Sequence, residues 1–457
     1  MPFRPKPSPQ KRPGFFAVVD YPDEYVQPLI CRALQALAQM PCTIVSSIGQ
    51  VADQSSPLLQ YTAYEALDFE KTMTHPSTSL VSAYVIRKAL IRKHYLSNTI
   101  STWLVKHPDS ILSTCFKPCE HFELDYSEFL DDALVDAWDL HASMARNEEK
   151  VNASSKEWWI LKPGMSDGGN GIRLFSSLEE LQEIFEGWDS DSDFEPDSET
   201  DGDDDENEGD DESEESDEVD EPEEHQRSND AKERADGEAG AITSHLRHFI
   251  VQPYIERPLL LPSMDSRKFH IRAYVLAVGA LRVYVYREML ALFAAKQYQP
   301  PFQTESINEA NLSAHLTNTC FQDEATRQGS VRRFWALHDD NLSTSEQEGV
   351  FSRVCEITGE VFEAAAREQM VHFQTLPNAF EVFGVDFLVD DRLNVWLLEL
   401  NAYPDFKQTG QDLQDEVVGG LFEQVVRVAI APFFDRSGPS PGNRSMLLVR
   451  STDLGRE

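Results

Sequence analysis

The chain is poor in cysteine and in basic residues and has no long apolar run, and each shortage excludes a class of protein. Six cysteines among 457 residues are too few for the disulfide framework of a secreted protein, so we expect free thiols in a reducing compartment. The 40 Lys and Arg are outnumbered by 79 Asp and Glu, which disfavours direct binding to nucleic acid, because that mode needs a basic face. There is no signal-peptide core and no run of about 18 apolar residues, so the sequence predicts a cytosolic or nuclear protein without a membrane span.

Two cysteines and a histidine, Cys115, Cys119 and His121, lie close together in the sequence. A structural zinc site needs four such ligands, and no second Cys/His pair completes the set. We therefore interpret the two cysteines as ordinary thiols, and Cys320 in the same way.

The formal charge of −39 is concentrated in one segment of the chain. Residues 189–224 contain 23 acidic residues and no Lys or Arg, and removing them from −39 leaves −16 on the rest. That remainder is ordinary globular material, long enough for two or three domains. The acidic composition buries too little apolar surface to offset the entropy cost of ordering, so residues 189–240 are expected to be a disordered insertion. The insertion is either a solvated linker or a segment that occupies a basic substrate groove.

Hydrophobic periodicity divides the chain into lobes of mixed helix and strand. Phe15–Asp20 is predicted to be a strand and residues 26–40 a helix, which indicates an α/β start. Further helices are predicted over residues 82–105, 127–147, 349–373 and 411–430. The predicted boundaries are a disordered leader at 1–14, an N-terminal α/β lobe at 15–110, a central lobe at 111–250, a C-terminal lobe at 251–434 and a flexible tail at 435–457.

The predicted helix over residues 82–105 carries a basic cluster: Arg87, Lys88, Arg92, Lys93 and His94. These residues form either a solvated helix face or a patch for an acidic partner. Spacing alone favours the solvated face.

The first of two predicted β-hairpins carries positive charge. If its turn consists of two residues starting at Gly279, Arg272 pairs opposite Arg287, and Lys268 and His270 lie on the face of Arg272. Like charges directly opposite each other destabilise a sheet, and an anion bound between them would reverse that effect. The hairpin therefore predicts an anion site.

The second predicted hairpin carries negative charge. A turn at Arg392 places Asp386 opposite Glu399, and Asn401 lies on the face of Glu399. Both carboxylates lie within nearly continuous apolar runs, where an unpaired charge is costly. Two carboxylates and an amide suit magnesium, which completes its shell with water and phosphate oxygens. The alternative is a carboxylate dyad that has a raised pKa or is paired with Lys or Arg.

A glycine-rich loop between two strand-like runs contains Lys162, Gly168, Gly169 and Gly171. Glycines allow backbone amides to approach phosphate closely. The loop lacks the residue order of a Walker A motif and the strand-to-helix context of a dinucleotide site. Together with the two hairpins, it predicts a site for a nucleoside triphosphate and magnesium.

Five sequence blocks, in this order along the chain, resemble the tubulin-tyrosine ligase family. The blocks are Trp159–Pro163 with its glycine loop, Val251–Glu256, Arg267–Arg272, His315–Asn318, and Phe383–Phe387 continued by Leu398–Ala402. Members of that family have an ATP-grasp core. The resemblance therefore implies an α/β (α+β) ATP-grasp fold with N-terminal, central and C-terminal lobes, in which ATP is held between the central and C-terminal lobes.

The resemblance also implies a role for each matching residue. It assigns the phosphates of ATP to Lys162, Gly168, Gly169, Gly171 and Lys268. It assigns the adenine hinge to Gln252, Pro253, Tyr254 and Ile255, and other nucleotide contacts to His270, Thr317 and Asn318. It assigns magnesium to Asp386, Glu399 and Asn401, and catalysis to Arg272, Arg287 and Glu399.

The chemistry implied by the resemblance is ATP-dependent amide formation through an acyl phosphate. The leading hypothesis is a cytoplasmic, monomeric enzyme that adds free tyrosine to the C-terminus of α-tubulin, with glutamate addition to the acidic tubulin tails as the nearest alternative. The chain departs from the family at His270, where Asp is usual, and at Asn170, where many members have Lys or Arg. These departures motivate a second hypothesis, a non-catalytic adaptor in a ribonucleoprotein (processing) body.

Overall fold

The computed structural model describes residues 14–455, with gaps at 39, 52, 54, 165–170, 193–247, 304–308, 318–321, 323–328, 340 and 411–412. Several sequence predictions fall in these gaps. Those that lie outside the described residues are Gly168, Gly169, Asn170, Asn318, Cys320, the predicted leader except for its last residue, and most of the acidic insertion. The rest of the chain forms three β-sheets with helices packed against them.

The N-terminal lobe is built on a parallel sheet of four strands. Its elements are β1 Phe15–Asp20, α1 Gln27–Gln35, β2 Cys42–Val45, β3 Leu58–Thr62, α2 Phe69–Thr74, β4 Ser79–Val81, α3 Lys88–Ile91, α4 Lys93–Lys106 and α5 Leu112–Cys115. The strand order is β2-β1-β3-β4. β1 is central and apolar because it is buried between β2 and β3 in the parallel sheet.

The central lobe is built on an antiparallel sheet of four strands. Its elements are β5 Glu120–Glu123, α6 Leu130–Ala133, α7 Trp138–Glu148, β6 Trp159–Pro163, β7 Arg173–Phe175, α8 Leu178–Ser192 and β8 His248–Pro253. The strand order is β5-β8-β6-β7. The glycine loop therefore connects two neighbouring strands, β6 and β7, and α6, α7 and α8 share one apolar core with the sheet.

The C-terminal lobe is built on an antiparallel sheet of seven strands. Its elements are β9 Arg267–Val278, β10 Arg282–Tyr286, β11 Leu290–Gln297, α9 Glu309–Leu312, β12 Val331–Arg333, α10 Thr344–Glu368, β13 Phe380–Val389, β14 Val395–Asn401, α11 Gln414–Asp435 and β15 Met446–Ser451. The long strand β9 pairs with β10 and β11 along one edge and with β13 along the other. β14 pairs with the far edge of β13.

Two helices cover the two faces of this sheet and hold β9 in place. α10 begins with a capping box formed by Ser343 and Glu346, and its apolar face packs in one core with Ile271. α11 packs in a second core with Tyr274 and Leu276, on the opposite face of β9, and with α1 of the N-terminal lobe. The N-terminal and C-terminal lobes therefore share a core.

α11 is long and apolar enough, by length and composition, to cross a membrane. However, 61% of its most apolar window is buried inside the fold, and Leu421 and Val425 belong to the core that it shares with α1. α11 is therefore apolar because it is a helix of the protein core.

The structure corrects several predicted boundaries. The first helix ends at Gln35, and the helix expected over residues 127–147 is divided into α6 and α7. The boundary placed between residues 250 and 251 cuts through β8, which pairs with β5 and β6 and therefore belongs to the central lobe. α8 continues to Ser192, past the predicted start of the acidic insertion at residue 189.

The first hairpin differs from its predicted register by one residue. The last residue of β9 pairs with the first residue of β10, so the turn has three residues, beginning with Gly279 at φ +63°, instead of two. A shift of one residue moves a side chain to the other face of a sheet. Arg287 is therefore not opposite Arg272, whose partner across that edge is Leu290 of β11. The predicted pairing of the two arginines is wrong.

The second hairpin keeps the predicted pairing of the carboxylates although its turn also differs. Near the turn, Val389 pairs with Val395, one residue away from the predicted register. A bulge that inserts Leu398 into β14 shifts the register back. Asp386 consequently lies opposite Glu399, as predicted.

The tail beyond residue 434 is not the flexible segment that the sequence predicts. β15 pairs with β10 at the edge of the C-terminal sheet. The strand forms there because Met446 is fully buried in the core beneath the sheet.

Removing β15 should therefore destabilise the fold. Truncation after Arg444 removes Met446 from the core, so we expect the free energy of unfolding to fall by at least about 2 kcal/mol. Chemical denaturation followed by tryptophan fluorescence measures this change. A control truncation after Gly455 keeps the strand and Leu454, which packs against the core, and should leave the free energy of unfolding unchanged. Similar stabilities for the two truncated proteins would contradict the role of β15.

Candidate functional site

Three neighbouring strands bring the predicted carboxylates and one arginine into a row. Arg272 of β9 lies opposite Asp386 of β13, and Asp386 lies opposite Glu399 of β14. Asn401 follows two residues later on β14, opposite Gly384. We call Arg272, Asp386, Glu399 and Asn401 the charged row.

A buried ion pair within the charged row joins β9 to β13. Arg272 donates from Nε to Oδ1 of Asp386 at 2.5 Å and from Nη2 to Oδ2 at 3.0 Å. Burial lowers the pKa of Arg272, but the carboxylate of Asp386 outweighs burial and raises it, so the guanidinium stays charged. Gly384 leaves room beside the pair, because a β-carbon there would make tight contacts, 3.3 Å from Cδ of Arg272 and 3.2 Å from Cβ of Pro404.

Glu399 lies among cations. Nζ of Lys93 is 3.6 Å from its Oε2, and the amide of Asn401 donates to its Oε1 at 3.4 Å. Burial raises the pKa of Glu399, but Lys93 and Lys162 outweigh this effect and lower the pKa to about 2. Glu399 is therefore ionised at neutral pH.

The central lobe supplies a lysine to the same site. Nζ of Lys162, on β6, donates to Oε1 of Gln252 on β8 at 3.2 Å, and Nε2 of Gln252 donates to the carbonyl of Lys117 at 2.6 Å. Burial lowers the pKa of Lys162, and the negative charge of Glu399 opposes that shift. The site therefore includes charges from both the central and the C-terminal sheet.

A third lysine is buried between the hinge and β9. Nζ of Lys268 donates to the hydroxyl of Tyr254 at 2.9 Å, and that hydroxyl lies 3.0 Å from Nδ1 of His315. Burial and the nearby charge of Lys162 lower the pKa of Lys268 to about 7. Burial and Lys268 lower the pKa of His315 to about 3, so His315 is neutral at neutral pH.

His270 lies close to the charged row. Its Nδ1 is 2.6 Å from Oγ1 of Thr317. Its Nε2 is 3.7 Å from Oδ1 of Asp386 and has no hydrogen-bond partner among the described residues. Burial lowers the pKa of His270, and Asp386 opposes this shift while Arg272 adds to it. The imidazole is therefore neutral at neutral pH.

Only part of the predicted glycine loop is described, whereas the hinge is described fully. Gly171 has φ +70°, and a β-carbon there would lie 2.6 Å from the ring of the proline that ends β6. Only glycine therefore allows the loop to enter β7 at this position.

In the hinge, Pro253 ends β8 and Ile255 is half-buried. The amide of Tyr254 donates to the carbonyl of Trp158 at 2.8 Å, so that amide is not available to adenine.

Arg287 lies away from the charged row because of the register of the first hairpin. Its guanidinium lies 4.1 Å from the ring centroid of Trp335 and pairs with Glu348 of α10. It therefore faces α10. The catalytic role that the resemblance assigns to Arg287 has no support in this position.

The donor atoms of the charged row fit a magnesium ion that is bound together with phosphate. In the part of the chain that the structure describes, no group of three His, Cys, Asp or Glu residues could hold a metal ion. Asp386, Glu399 and Asn401 supply two carboxylates and an amide, and Mg²⁺ takes one or two carboxylates when water and phosphate oxygens complete its shell. The ionised state of Glu399 is the one that a cation requires.

The site also contains residues that the sequence analysis does not assign to it. Lys93 and Arg87 belong to the basic cluster, but both are mostly buried, and they pair with Glu399 and Glu381. The basic cluster was the only feature of the sequence that could have indicated these two residues. Its spacing could not distinguish the buried members from exposed Lys88, because the segment forms two separate helices, α3 and α4, instead of one.

Removing the charge of Lys93 should weaken the binding of ATP, the ligand that the sequence predicts. In Lys93→Met the pKa of Glu399 should rise, and the dissociation constant for ATP with Mg²⁺ should increase roughly tenfold, which is about 1.4 kcal/mol. Isothermal titration calorimetry measures this constant. Lys88→Met is the matched control because Lys88 is exposed, and equal effects of the two substitutions would contradict a specific role for Lys93.

ATP binding should also be accompanied by proton uptake at Lys268. Its pKa is about 7 without a ligand, and a polyanion nearby favours the protonated form. Binding at about pH 7.5 should therefore take up a fraction of a proton, and affinity should fall as the pH rises to about 9. Calorimetry in buffers of different ionisation enthalpy measures the uptake, which should disappear in Lys268→Met; uptake that persists in this variant would refute the assignment.

The chain is similar in sequence to known proteins over most of its length. The model of the "Tubulin-tyrosine ligase family" matches residues 91–437. The probable tubulin–tyrosine ligase C12B10.04 of Schizosaccharomyces pombe is 42% identical over 95% of this chain and 96% of its own length. The probable tubulin–tyrosine ligase PBY1 of Saccharomyces cerevisiae is 40% identical over 91% of this chain and 52% of its own length, so the chain spans about half of that relative.

A solved structure confirms the predicted fold. The C-terminal domain of K. lactis Pby1, described as an ATP-grasp enzyme interacting with the mRNA decapping enzyme Dcp2, aligns with a TM-score of 0.66 and 33% identity over 96% of this chain and 100% of that domain. The fold is therefore an α+β ATP-grasp fold, which implies that it binds ATP with a divalent metal ion. By the extent of the family match and by its 42% identity to the S. pombe relative over nearly the whole length of both chains, the chain belongs to the tubulin-tyrosine ligase family.

Proposed function

We propose that the chain is an ATP- and magnesium-dependent carboxylate–amine ligase that adds free tyrosine to the C-terminus of α-tubulin. The observation that carries the ligase proposal is the position of Asp386 and Glu399 among cations from all three lobes. Lys93 comes from the N-terminal lobe, Lys162 from the central lobe and Arg272 from the C-terminal lobe. This arrangement complements the negative charge of triphosphate and the positive charge of a metal ion.

In the proposed reaction, an oxygen of the acceptor carboxylate attacks the γ-phosphorus of ATP, so that ADP leaves and an acyl phosphate forms. The amino group of the incoming amino acid then attacks the acyl carbon. The bond to phosphate breaks, inorganic phosphate leaves, and the nitrogen loses a proton as the amide forms. These steps need no nucleophilic side chain, and the protein contributes by positioning and charge neutralisation.

Each residue of the site has a role in this proposal. Lys162 and Lys268 would bind phosphate oxygens, and Arg272 would orient the transferred phosphate. Asp386 and Glu399, with Asn401, would hold Mg²⁺, which neutralises charge on the phosphate during transfer. Because Asp386 already pairs with Arg272, the same carboxylate would link the metal ion to the arginine.

The substrates are inferred from relatives. The S. pombe protein that matches nearly the whole chain is named a probable tubulin–tyrosine ligase. An acidic tubulin tail complements a site that contains Lys93, Lys162 and Arg272. Within the same class, glutamate addition to tubulin tails is the alternative, and a monomer in the cytoplasm fits either reaction.

A second candidate is a non-catalytic adaptor in a ribonucleoprotein body. His270 favours it, because a neutral imidazole replaces the carboxylate usual in the family and leaves the site with one negative charge fewer. Its Nε2 has no hydrogen-bond partner in the described part of the chain. The K. lactis relative described as interacting with the decapping enzyme Dcp2 also favours it.

The two candidates differ in whether ATP is consumed. With ATP, Mg²⁺, labelled tyrosine and detyrosinated tubulin, the purified chain should release ADP and label the tubulin C-terminus. Glu399→Gln should reduce both at least roughly 100-fold, because it removes a metal-binding carboxylate. Glu356→Gln, on the exposed face of α10, is the matched control and should be as active as the native chain.

The outcomes separate the alternatives. Incorporation of glutamate instead of tyrosine would overturn the proposed amino acid but keep the ligase. ATP binding without ADP release, across a panel of amino acids, tubulin and tail peptides, would contradict the ligase proposal and support the adaptor.

A further inference from the structure

A small cavity lies where the N-terminal sheet meets the chain that leaves β14. Its volume is about 40 Å³, and four tyrosines, Tyr21, Tyr61, Tyr64 and Tyr403, form part of its wall. Tyr403 follows Asn401 by two residues and stacks on Tyr21 with ring centroids 4.9 Å apart. Because Tyr403 is 48% exposed, the cavity lies beside the surface as well as beside the charged row.

A buried arginine–glutamate pair completes the wall of this cavity. Nε of Arg87 is 3.0 Å from Oε1 of Glu381, and the two side chains are only 15% and 4% exposed. The amide of Tyr84 donates to Oε2 of Glu381 at 3.1 Å. The guanidinium carbon of Arg87 lies 3.8 Å from the ring centroid of Tyr64, so the ring restrains the guanidinium.

These contacts leave most of the donors of Arg87 unused. A guanidinium has five N–H donors in a fixed fork. Among the described residues, Nη1 and Nη2 of Arg87 make no hydrogen bond, and Nε has no well-aligned acceptor although it is close to Glu381. Nε is buried, and a buried donor normally has a partner, whereas Nη1 and Nη2 are not fully buried and are accessible to a ligand. A carboxylate is the ligand whose two oxygens match the guanidinium fork.

The proposed reaction brings two different carboxylates to the enzyme. The acceptor carboxylate receives phosphate and must lie at the charged row. The α-carboxylate of the incoming amino acid does not react, and it needs a cation that is separate from the phosphate-binding lysines. Arg87 is such a cation, and the two residues from Asn401 to Tyr403 span at most about 7 Å of chain between the row and the cavity.

We propose that Arg87, held by Glu381, binds the α-carboxylate of the incoming amino acid and so directs its amino group towards the charged row. This inference rests on the ligase function proposed above. The cavity is large enough for a carboxylate group and too small for a nucleotide base. Burial raises the pKa of Glu381 to about 7, against the opposing effect of Arg87, so a neutral fraction of Glu381 reduces repulsion of the ligand.

The kinetic test compares Arg87→Lys with the native chain. Lysine keeps a positive charge beside Glu381 but lacks the fork, so the fold should persist, as circular dichroism can verify. We expect KM for tyrosine to rise at least tenfold in the ADP-release assay, while KM for ATP stays within twofold. Arg353→Lys, a surface arginine paired with Glu356, is the matched control and should change neither constant.

A binding test does not depend on turnover. In the presence of Mg²⁺ and a non-hydrolysable ATP analogue, the native chain should bind tyrosine at least tenfold more tightly than tyrosinamide, which lacks the carboxylate. Arg87→Lys should lose this preference. Tyr403→Ala alters the wall of the cavity but leaves the Arg87–Glu381 ion pair in place, and it should weaken tyrosine binding in the same assay. This variant tests the proposal if Arg87→Lys does not fold.

The results separate the subsite from the ligase proposal. If the native chain releases ADP with tyrosine and Arg87→Lys leaves KM for tyrosine unchanged, the pair is only a structural link between lobes and the subsite is overturned. Equal binding of tyrosine and tyrosinamide by the native chain overturns it as well. The absence of ADP release with every amino acid refutes the ligase, independently of the binding comparison.

Discussion

The buried contact between Arg272 and Asp386 joins the central strand of the C-terminal sheet, β9, to β13, the neighbour of the strand that carries Glu399 and Asn401. Each partner would be costly to bury alone, by several kcal/mol, so the two strands are held in the one register that pairs them. Gly384 leaves room for the arginine, and α10 and α11 keep water from both faces of β9. The position of Glu399 and Asn401 beside Asp386 depends on this register.

Around this pair, charge is contributed by every lobe. Lys162 reaches from the central sheet, and Lys93 reaches from the N-terminal lobe to Glu399. The shared core between α1 and α11 fixes the N-terminal lobe against the C-terminal sheet, so the helices α3 and α4 act as structural parts of the site. The N-terminal lobe therefore does more than support an ATP site. It provides one cation for the charged row and, through Arg87, a second for the neighbouring cavity.

Much of this arrangement could be predicted from the sequence, and the failures have physical causes. Asp386 could be paired with Glu399 because strand periodicity fixes which side chains share a face, although a bulge at Leu398 was needed to compensate for a different turn. The same method failed for Arg287, because a three-residue turn cannot be distinguished from a two-residue turn when both contain Gly279. Lys93 could be placed in a basic cluster but not in the site, because tertiary packing, which spacing does not reveal, decides which members of the cluster are buried. The fold itself followed from the order of five short blocks, which no single block could have established.

The central claim is that this chain activates a carboxylate by transferring phosphate to it. An acceptor peptide with a tubulin-like tail, labelled with heavy oxygen isotope in both oxygens of its C-terminal carboxylate, tests this most directly. If the carboxylate attacks ATP and the amine then displaces phosphate, one labelled oxygen must leave with each inorganic phosphate, and mass spectrometry of the released phosphate should detect it in proportion to amide formed. Release of ADP with unlabelled phosphate would mean that water, not the carboxylate, attacks ATP, and it would contradict the account.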